Sequence, residues 1–557
     1  MLRMNQKLFY SLLFAVVGAL LFIPFLGGVR LFDWDEINFA ECSREMVVLG
    51  DYLRVHVDFK PFYEKPPFFF WCQSLMMNIF GTNEFAARLP NAICGIITLI
   101  YLYNLGAKLH GHRFGLIWSL AYLGSVTPHL YFRSGIIDPF FNLFIFIGLV
   151  NLIFASWKRE GTASSMLLPR GVWGYLFIGG FILGMGINTK GPVAYLIVCL
   201  TLGVYWILSR FRWFITPIQF IFYSIAATLV SVAWYGLETF LHGPVFITEF
   251  LKYNFRLFST PDAGHSGFPA YHFIILLIGC FPASIFALRA FAPMMIERNY
   301  QREFRRWMLI LFWVVLILFS IVQSKIVHYS SMCYFPLTYL ATITLTQLES
   351  NKIRFNNWFR AGLISIGGVY ILATIALPIL AHRMDLVKSF ADQDAFTQAN
   401  LDAKINWTGW EVLPGIWLLI VLVLSLIWFS QRQTERAIVA LFGGMAVFIT
   451  LTLWFFIGRI EGISQDAAMR FFEKAQGQDV YVKAYGYRSY GPFFYTQKPA
   501  VTNPNYYDED WLLRGKIDKD VWFIKKNVET HTALDSLPDV KKTGEENGFV
   551  FYVRKAK

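Results

Sequence analysis

Charged residues are scarce in this sequence of 557 residues. Asp, Glu, Lys and Arg make up 15 % of the chain, compared with roughly 25 % in soluble domains. The low charge excludes the three or four soluble domains that the length would otherwise suggest, and it excludes a disordered chain. Because 56 % of the residues are hydrophobic and 18 % are aromatic, the composition indicates an integral membrane protein.

Paired cysteines and internal repeats are also missing, and the middles of the apolar stretches contain almost no Asp, Glu, Lys or Arg. The six cysteines are scattered, mostly inside apolar runs, and no CxxC pair occurs. This spacing indicates neither a disulfide framework nor a metal cluster. An ionisable residue at mid-membrane would mark an ion or substrate path. The lack of such residues and of repeats argues against a transporter.

Thirteen apolar stretches have about the 20 residues needed to cross a bilayer. The first follows Arg3 and Lys7 without a cleavage site, so it is expected to be a retained anchor. The stretches begin near Phe9, Phe85, Phe114, Pro139, Val172, Pro192, Trp213, Ala270, Trp307, Cys333, Trp358, Leu413 and Ala437. The sequence thus predicts an all-α polytopic membrane protein with about thirteen transmembrane helices.

The net charge of +12 could suggest a nucleic-acid partner. With a cytoplasmic N-terminus, however, the excess of Lys and Arg falls in the inner connections, as the positive-inside rule requires. No nucleic acid is therefore expected. Residues 1–457 form the predicted membrane module, and its outer loops 28–84 and 241–269 are long enough to carry chemistry. Residues 458–557 are predicted to be a small soluble α/β domain outside the membrane, with strands at Val480–Ala484, Val521–Lys525 and Phe549–Arg554.

The first outer loop contains a cluster of acidic residues. Asp33 and Glu36 have the spacing of a capping box, which predicts a helix start with Asp35 in its first turn. The positive end of a helix favours an ionised carboxylate there. Asp35 is therefore a candidate catalytic group, although these carboxylates could equally do no more than satisfy the helix end.

The same loop ends in Glu64-Lys65-Pro66-Pro67. Proline restricts the residue before it and suits the first turn of a helix, here predicted from Phe68 to Phe80. Glu64 and Lys65 would thus be held on a stiff tether beside an apolar helix. A purely structural elbow explains the same prolines.

Several other outer turns carry a single cation on the side of the membrane where Lys and Arg are disfavoured. These are Arg133, Lys190 and Lys325, and Asp138 lies nearby in sequence as the predicted N-cap of the fourth span. Together with Lys65, the cations could surround a phosphate at the level of the lipid headgroups. The alternative is binding of ordinary anionic lipid.

These motifs resemble the bacterial GT-C superfamily, which includes protein O-mannosyltransferases and the aminoarabinose transferases that act on lipid A. The resemblance rests on five segments and covers most of the membrane portion. They are Asp35-Glu-Ile-Asn-Phe-Ala-Glu41 with Arg44-Glu-Met46, Glu64-Lys-Pro-Pro67, the Asp138 position, Thr189-Lys-Gly-Pro192 and Lys325-Ile-Val-His-Tyr329. The resemblance implies a GT-C fold. It also implies the use of a sugar donor on a polyprenyl-phosphate carrier at the outer face of the bacterial inner membrane.

The resemblance also implies roles for individual residues. Asp35 matches the catalytic aspartate of the first loop and Asp138 the second acidic residue, while Tyr329 follows the lysine of a later outer loop. Some relatives hold a divalent metal ion, for which Glu64 and His265 are the candidate ligands here. One departure concerns the acceptor: aminoarabinose transferases have Arg-Tyr where this chain has Asn-Phe at positions 38 and 39.

The sequence therefore predicts an inverting glycosyltransferase with Asp35 as the base, Asp138 as the second choice, and a phosphate site formed by Lys65, Arg133, Lys190, Lys325 and Tyr329. The expected partners are membrane lipids, a polyprenyl-phosphate sugar and a lipid, glycan or protein acceptor. A flippase for lipid-linked sugars is one alternative class, and a non-catalytic assembly protein is another. A flippase predicts charges at mid-membrane, and an assembly protein predicts that Asp35 is replaceable.

Overall fold

The computed structural model describes residues 5–260, 267–294, 298–383, 388–389, 394–528 and 533–556. Helices dominate the first 381 residues. In chain order they are α1 (Gln6–Phe22), α2 (Asp35–Leu49), α3 (Phe68–Phe80), α4 (Glu84–His110), α5 (His112–Leu123), α6 (Val126–Tyr131), α7 (Asp138–Glu160), α8 (Val172–Lys190), α9 (Val193–Leu208), α10 (Pro217–His242), α11 (Val245–Ser259), α12 (Tyr271–Gly279), α13 (Ala283–Ala290), α14 (Asn299–Ile321), α15 (Tyr334–Glu349) and α16 (Asn357–Ala381).

Later helices cover Ala395–Leu401, Leu413–Ser430, Thr434–Ile438, Gly444–Thr452, Gly458–Ser464, Asp466–Lys474, Gly491–Phe494, Glu509–Arg514 and Ala533–Ser536. The third to fifth of these are joined by π-helical turns at Val439–Gly443 and Leu453–Ile457 into one long element. Single 3₁₀ turns occur at Val327–Cys333, Trp410–Val412 and Pro504–Tyr507.

The membrane portion is a bundle of apolar helices. Among the described residues, eight helices are long and apolar enough to cross a bilayer, and α12 with α13, which are bent by 117°, would make a ninth. Each of the thirteen apolar stretches contains a helix. The chain is thus a mostly helical, polytopic membrane protein. The count of thirteen complete spans stays a prediction, because α1 and α9, for example, are shorter than about 20 residues.

Glycines let α7, α8 and α10 approach closely. A Cβ atom on Gly180 of α8 would lie 2.4 Å from the carbonyl oxygen of Tyr223 in α10, and one on Gly184 would lie 2.5 Å from that of Ala227. Small residues permit such contacts between membrane helices. Since α7 begins at Asp138 and α8 ends at Lys190, this packing brings the two charged residues to the same end of the bundle.

The C-terminal residues form a four-stranded sheet. Two short strands, β1 (His56–Val57) and β2 (Lys60–Pro61), pair in the first loop, and the sheet consists of β3 (Val480–Ala484), β4 (Asp520–Lys526), β5 (Val540–Glu546) and β6 (Phe549–Arg554) in the order β3-β4-β6-β5. Only β3 and β4 run parallel. The three predicted strands are present. The fourth, β5, was not predicted because its Lys- and Glu-rich sequence lacks an apolar strand pattern.

The C-terminal segment is tied to the first loop by polar and apolar contacts. The Arg30 guanidinium forms ion pairs with Glu461, Asp466 and Glu473 at 2.7 to 3.1 Å. Further contacts are the hydrogen bond from Leu31 N to the Tyr495 hydroxyl at 2.7 Å, the Lys498–Asp58 ion pair, and a shared core that includes Ile37, Ala40, Met469, Phe472 and Phe494. The start of α2, which carries Asp35, is therefore fixed against the sheet region.

Candidate active site

A cavity of about 170 Å³ lies where α2, α7, α8, α11 and the 3₁₀ turn after α14 meet. Its polar lining combines two carboxylates, two amines, an imidazole, two phenols and two amides. These belong to Asp35, Asp138, Lys65, Lys190, His328, Tyr253, Tyr329, Asn142 and Asn254. The rest of the lining is apolar and includes Phe39, Ile197, Leu257, Phe319 and Met332. A charged end beside an apolar wall fits a ligand with an anionic head and a hydrocarbon tail.

Asp138 and Lys190 form the central ion pair. Lys190 Nζ lies 2.7 Å from Asp138 Oδ1, and the Asp138 side chain is 6 % exposed. The expected N-cap role of Asp138 is wrong: Ile137 occupies that position, and Asp138 is the first helical residue, without a side-chain cap bond. Its carboxylate is instead paired with the Lys190 ammonium, a charge-assisted bond between two ionised groups.

Lys190 also faces an aromatic wall. Its ammonium lies 5.3 Å from the ring centre of Tyr329 and 5.7 Å from that of Phe141, within the range of cation–π attraction. The helix ends there because Gly191 has a φ of 102°, which is accessible mainly to glycine. The Lys190 and Tyr329 predicted from separate motifs thus lie side by side at the cavity.

His328 is one of four polar residues of this cavity that sequence reasoning missed; the others are Asn142, Tyr253 and Asn254. The Nε2 atom of His328 lies 3.9 Å from Asp35 Oδ2 and 3.8 Å from Asp138 Oδ2. These distances are too long for hydrogen bonds but short enough for strong electrostatic coupling. Burial lowers the pKa of the imidazole, although the carboxylate of Asp138 opposes this. The signal was present, since the Lys325 to Tyr329 motif includes this histidine.

Asp35 begins α2 and faces the cavity with a side chain that is 38 % exposed. The predicted capping box is not formed, because Trp34 is the N-cap residue. Asp33 accepts a hydrogen bond from Tyr490 N at 3.4 Å, and burial raises the pKa of its carboxyl to about 6. Because Asp33 is bonded to the C-terminal segment, Asp35 is the aspartate at the helix start that faces the cavity.

Glu36 has a different environment although it is the next residue. Its carboxylate pairs with Arg88 at 2.8 Å and accepts hydrogen bonds from Phe32 N at 3.0 Å and Gly135 N at 2.6 Å. Burial would raise the pKa of Glu36, but the arginine and the backbone donors outweigh it and hold the pKa below its usual range. Glu36 is therefore a structural anion.

Lys65 reaches the cavity from the tether before α3. Its Nζ lies 3.3 Å from the hydroxyl oxygen of Tyr253 and 4.5 Å from the centre of that ring. Tyr253 belongs to α11, in the second long outer loop predicted from the sequence. The two long loops thus meet at this cavity, and each contributes polar groups to it.

Two of the predicted phosphate ligands are used elsewhere. Arg133 donates to the carbonyl oxygens of Leu21 and Pro24 at 3.0 and 2.7 Å and so holds the end of α1. Lys325 donates to three carbonyl oxygens at the end of α14, at 2.6 to 3.3 Å. Neither residue is in the cavity lining. In a bilayer environment, unpaired carbonyls at helix ends need donors, which explains these lone cations.

The other predicted residues concern metal binding and the acceptor. Glu64 is not in the cavity lining, and His265 lies outside the described residues. No group of three or more candidate ligands occurs in the described part of the chain, so the metal site stays a prediction. Positions 38 and 39 are where this chain departs from the aminoarabinose transferase motif. Asn38 is buried there, and its Oδ1 accepts a weak hydrogen bond from Cys42 Sγ at 3.6 Å. Phe39 lines the cavity and packs edge-on against Phe70.

Comparisons with known proteins agree with this architecture. Residues 64–235 match the family model described as dolichyl-phosphate-mannose-protein mannosyltransferase. The chain is 27 % identical over 380 residues to the undecaprenyl phosphate-alpha-4-amino-4-deoxy-L-arabinose arabinosyl transferase of Edwardsiella ictaluri, and the alignment covers 65 % of each protein. It is 26 % identical over 401 residues to the enzyme of the same name from Pseudomonas aeruginosa, covering 71 % of this chain and 68 % of that one.

The whole chain also superposes on a solved structure. ArnT from Cupriavidus metallidurans, bound to undecaprenyl phosphate, matches with a TM-score of 0.76 over 98 % of both chains at 18 % identity. The chain therefore has the fold of this ArnT structure. The resemblance to the GT-C superfamily inferred from the motifs is confirmed by these matches.

Proposed function

We propose that this protein is a membrane glycosyltransferase that moves a sugar from a polyprenyl-phosphate carrier to a hydroxyl or phosphate acceptor. One observation carries the proposal: Asp35 and Asp138 meet two lysines at the charged end of a cavity whose remaining wall is apolar. The cations suit a phosphate, and the apolar wall suits an isoprenoid chain. The relatives named above, whose names contain undecaprenyl phosphate, support the same donor class.

Lys65 and Lys190 bind the donor phosphate in this proposal, with Tyr329 beside them. Fixed positive charge stabilises the negative charge that builds on a departing phosphate. The sugar then lies between the bound phosphate and Asp35. Its anomeric carbon is bonded to a good leaving group, so the leaving group needs little help from a general acid.

Asp35 acts as the base. The acceptor oxygen forms its bond to the anomeric carbon while the bond to the phosphate oxygen breaks, and the polyprenyl phosphate leaves with the electron pair. The acceptor proton passes to Asp35. Asp138 is less suited to this step because it is paired with Lys190 at 2.7 Å, whereas Asp35 is 38 % exposed. Asp138 instead positions Lys190.

His328 holds the Asp35 and Asp138 carboxylates in fixed positions relative to each other. Two anions that share a cavity repel each other, and the imidazole lies between them at 3.8 and 3.9 Å. Because burial keeps this ring neutral at neutral pH, its single N–H can polarise one carboxylate without removing the charge of either. Asp35 thus remains available to accept a proton.

The proposed arrangement in the membrane has a cytoplasmic N-terminus, thirteen spans and the C-terminal residues 458–557 as a periplasmic α/β domain in the bacterial inner membrane. The distribution of Lys and Arg supports it. A divalent metal ion at Glu64 and His265 is a further proposal. It predicts that chelation slows transfer in the wild type, with no such effect in Glu64→Gln.

The decisive experiment offers the detergent-purified protein undecaprenyl phosphate carrying 4-amino-4-deoxy-L-arabinose, followed by other lipid-linked sugars. A transferase releases polyprenyl phosphate in amounts equal to the glycosylated acceptor. Asp35→Asn should remove both products, and Asp51→Asn, a change in the same loop, should retain them. A flippase would instead move the intact donor across vesicle membranes, and that result without cleavage would refute the proposal.

A further inference from the structure

A long apolar groove of about 790 Å³ runs between α9 and α14. We call it the α9–α14 groove. Its lining includes Leu200, Val204 and Leu208 of α9 and Arg306, Trp313 and Ile321 of α14. Among the described residues that line the groove, only Arg306 is charged. One cation beside a long hydrocarbon wall suits a ligand with an anionic head and an apolar chain.

We propose that the α9–α14 groove binds one glycerophospholipid with an anionic head group. The lipid phosphate pairs with Arg306, and an acyl chain lies along α14. The proposed topology places the start of α14 on the cytoplasmic side, so the lipid belongs to the cytoplasmic leaflet. Basic pockets between membrane helices on that side suit anionic head groups. This lipid is distinct from the polyprenyl-phosphate donor, and its binding does not depend on the transfer reaction.

The charged end of the groove is far from the donor site. Ile197 of α9 and Phe319 of α14 line the donor cavity, and Arg306 precedes Phe319 by 13 residues. At about 1.5 Å per residue, this separation is about 20 Å along the helix axis. Arg306 therefore lies out of reach of a phosphate bound beside Lys190, and an anion held by Arg306 belongs to a second ligand.

Arg306 is held in place but keeps its hydrogen-bond donors. Its guanidinium carbon lies 5.0 Å from the ring centre of Tyr205, and that ring stacks on Trp307 with ring centres 3.7 Å apart. The nearby Glu303 accepts the hydroxyl hydrogen of Tyr205 at 2.7 Å. Within the described part of the chain, Arg306 donates no hydrogen bond and forms no ion pair. Its guanidinium can thus bind a phosphate through two parallel hydrogen bonds.

The neighbouring arginines differ from Arg306. Arg305 donates to the carbonyl oxygens of Ala290 and Ala292 at 2.6 and 2.7 Å, so it serves the end of α13. Arg302 is exposed, although one of its nitrogens donates to Asn299. Because residues four apart lie on the same face of a helix, Arg302 and Arg306 present two positive charges to one head group. A zwitterionic head would bring its own cation to the second charge, which favours a lipid with net negative charge.

The length of the groove suits an acyl chain. From Arg306 to Ile321, α14 rises by about 22 Å at about 1.5 Å per residue. One leaflet contributes about 15 Å, half of a hydrocarbon core of about 30 Å. A chain whose head is bound at Arg306 therefore stays in the groove through the whole depth of its leaflet. It would cover Trp313, Ile317 and Ile321, which are exposed, by van der Waals packing.

The first test measures lipid binding by native mass spectrometry of the detergent-purified, full-length protein. Phosphatidylglycerol and phosphatidylcholine with the same acyl chains are titrated separately. We expect one tightly bound phosphatidylglycerol, with an affinity about tenfold or more above that for phosphatidylcholine, because two arginines face its head group. Equal affinities of the wild type for the two lipids would overturn the proposal.

Variants of the two arginines locate the head group. Arg302→Gln/Arg306→Gln should weaken binding of phosphatidylglycerol by about tenfold or more. Arg354→Gln, which changes an exposed arginine between α15 and α16, should bind as the wild type does. An unchanged affinity in the double variant, or an equal loss in Arg354→Gln, would contradict the assignment of the head group.

A second pair of variants tests the acyl chain. Val204→Phe places a larger side chain in the groove, and Val369→Phe is a matched change at a valine of α16 that is 60 % exposed. A ligand that binds only the folded state raises the melting temperature. Phosphatidylglycerol should raise it less in Val204→Phe than in Val369→Phe, each measured against its own lipid-free value. Equal shifts would refute binding of a chain in the groove. The double arginine variant, which changes no apolar lining residue, provides a check that is independent of packing.

Undecaprenyl phosphate is the competing occupant, because its isoprenoid chain could enter the groove from the donor cavity. An excess is therefore added to the protein with bound phosphatidylglycerol. Retention of phosphatidylglycerol supports two separate lipid sites, and its displacement would assign the groove to the carrier and overturn the proposal. Lys190→Met, which changes the donor site, should bind phosphatidylglycerol as the wild type does; loss of binding there would place the phospholipid in the donor cavity. Neither measurement requires sugar transfer, so failure of this site is distinguishable from failure of the proposed reaction.

Discussion

Two buried ion pairs near the start of α2 show how a structural charge differs from a functional one. Arg88 bonds both oxygens of Glu36 and also donates to the carbonyl oxygens of Leu26, Val29 and Arg30. Among the described residues, Lys190 donates through its ammonium to Asp138 alone. The first pair is saturated with protein partners, whereas the second lines a cavity and retains donor capacity for a ligand.

The largest expected effect comes from changing Asp35 rather than its neighbour. Asp35→Asn keeps the size of the side chain but removes the base, so kcat should fall by about 10²- to 10⁴-fold. The melting temperature should stay near the wild-type value, because Asp35 takes part in no cap bond. Release of polyprenyl phosphate and thermal unfolding, measured on the same preparation, check this. Near-normal turnover would remove Asp35 from the mechanism.

Arg88→Ala should act on the fold instead. The change leaves Glu36 buried without its partner, which costs about 3–5 kcal/mol, and it also removes the donors to three carbonyls. We expect a strongly reduced yield of folded protein and a lower melting temperature. Arg113→Ala, which removes a half-exposed arginine from its ion pairs with Glu349 and Glu435, is the control and should cost little. Equal melting temperatures of the Arg88→Ala and Arg113→Ala variants would contradict the structural role proposed for the Arg88–Glu36 pair.

Lys190→Met and Lys325→Met compare a cation at the cavity with a cation at a helix end. The first should raise the donor KM by about tenfold or more, since a charge-assisted bond to phosphate contributes about 1.5–3 kcal/mol. The second should leave the donor KM unchanged and lower the melting temperature, because Lys325 serves the carbonyls of α14. The reverse pattern in titrations with the donor would contradict both assignments.

His328→Asn tests the residue between the carboxylates. Asn cannot titrate, so the acid limb of the kcat profile should lose one ionisation, and kcat at neutral pH should fall by about tenfold while the donor KM holds. The groups that face the imidazole are Asp35, Asp138, Lys190 and Lys65. A pH profile identical to that of the wild type would show that His328 merely fills space.

The last comparison concerns Asp33, where we expect an effect on stability alone that depends on pH. Its folded-state pKa of about 6 lies above the ordinary 3.8, so the unfolded chain loses this proton first as the pH rises. Ionised Asp33 therefore destabilises the fold progressively between about pH 4 and 6, by about 3 kcal/mol at most above pH 6. Asp33→Asn should melt higher than the wild type at pH 7.5, and the difference should vanish near pH 4. A constant difference across this range would contradict the assignment.

Much of the membrane architecture was accessible from the sequence. Helix α3 has the predicted bounds, and the break at Lys190 occurs where Gly and Pro follow it. Such features depend on local hydrophobicity and on backbone restrictions, which the sequence states directly. The strand β5 was not predicted, because it is stabilised by pairing with β6 rather than by its own apolar residues.

Only part of the candidate site could be predicted from the sequence. Separate motifs indicated Asp35, Lys65, Asp138, Lys190 and Tyr329, and the structure brings all five to one cavity. The same reasoning included Arg133 and Lys325, because a lone cation in an outer turn has the same sequence pattern whether it faces a ligand or a helix end. The distinction depends on which carbonyl oxygens lie within reach, and that is a property of the packed helices.

The sequence by itself determined that the chain enters a membrane, where its helices lie and which residue types gather at their outer ends, because transfer of apolar side chains out of water depends on composition and order alone. Only the tertiary structure decided which charges are neutralised by protein and which remain for a ligand. That choice placed His328 between two carboxylates and Trp34 beside the C-terminal sheet, since both contacts join residues far apart in the chain.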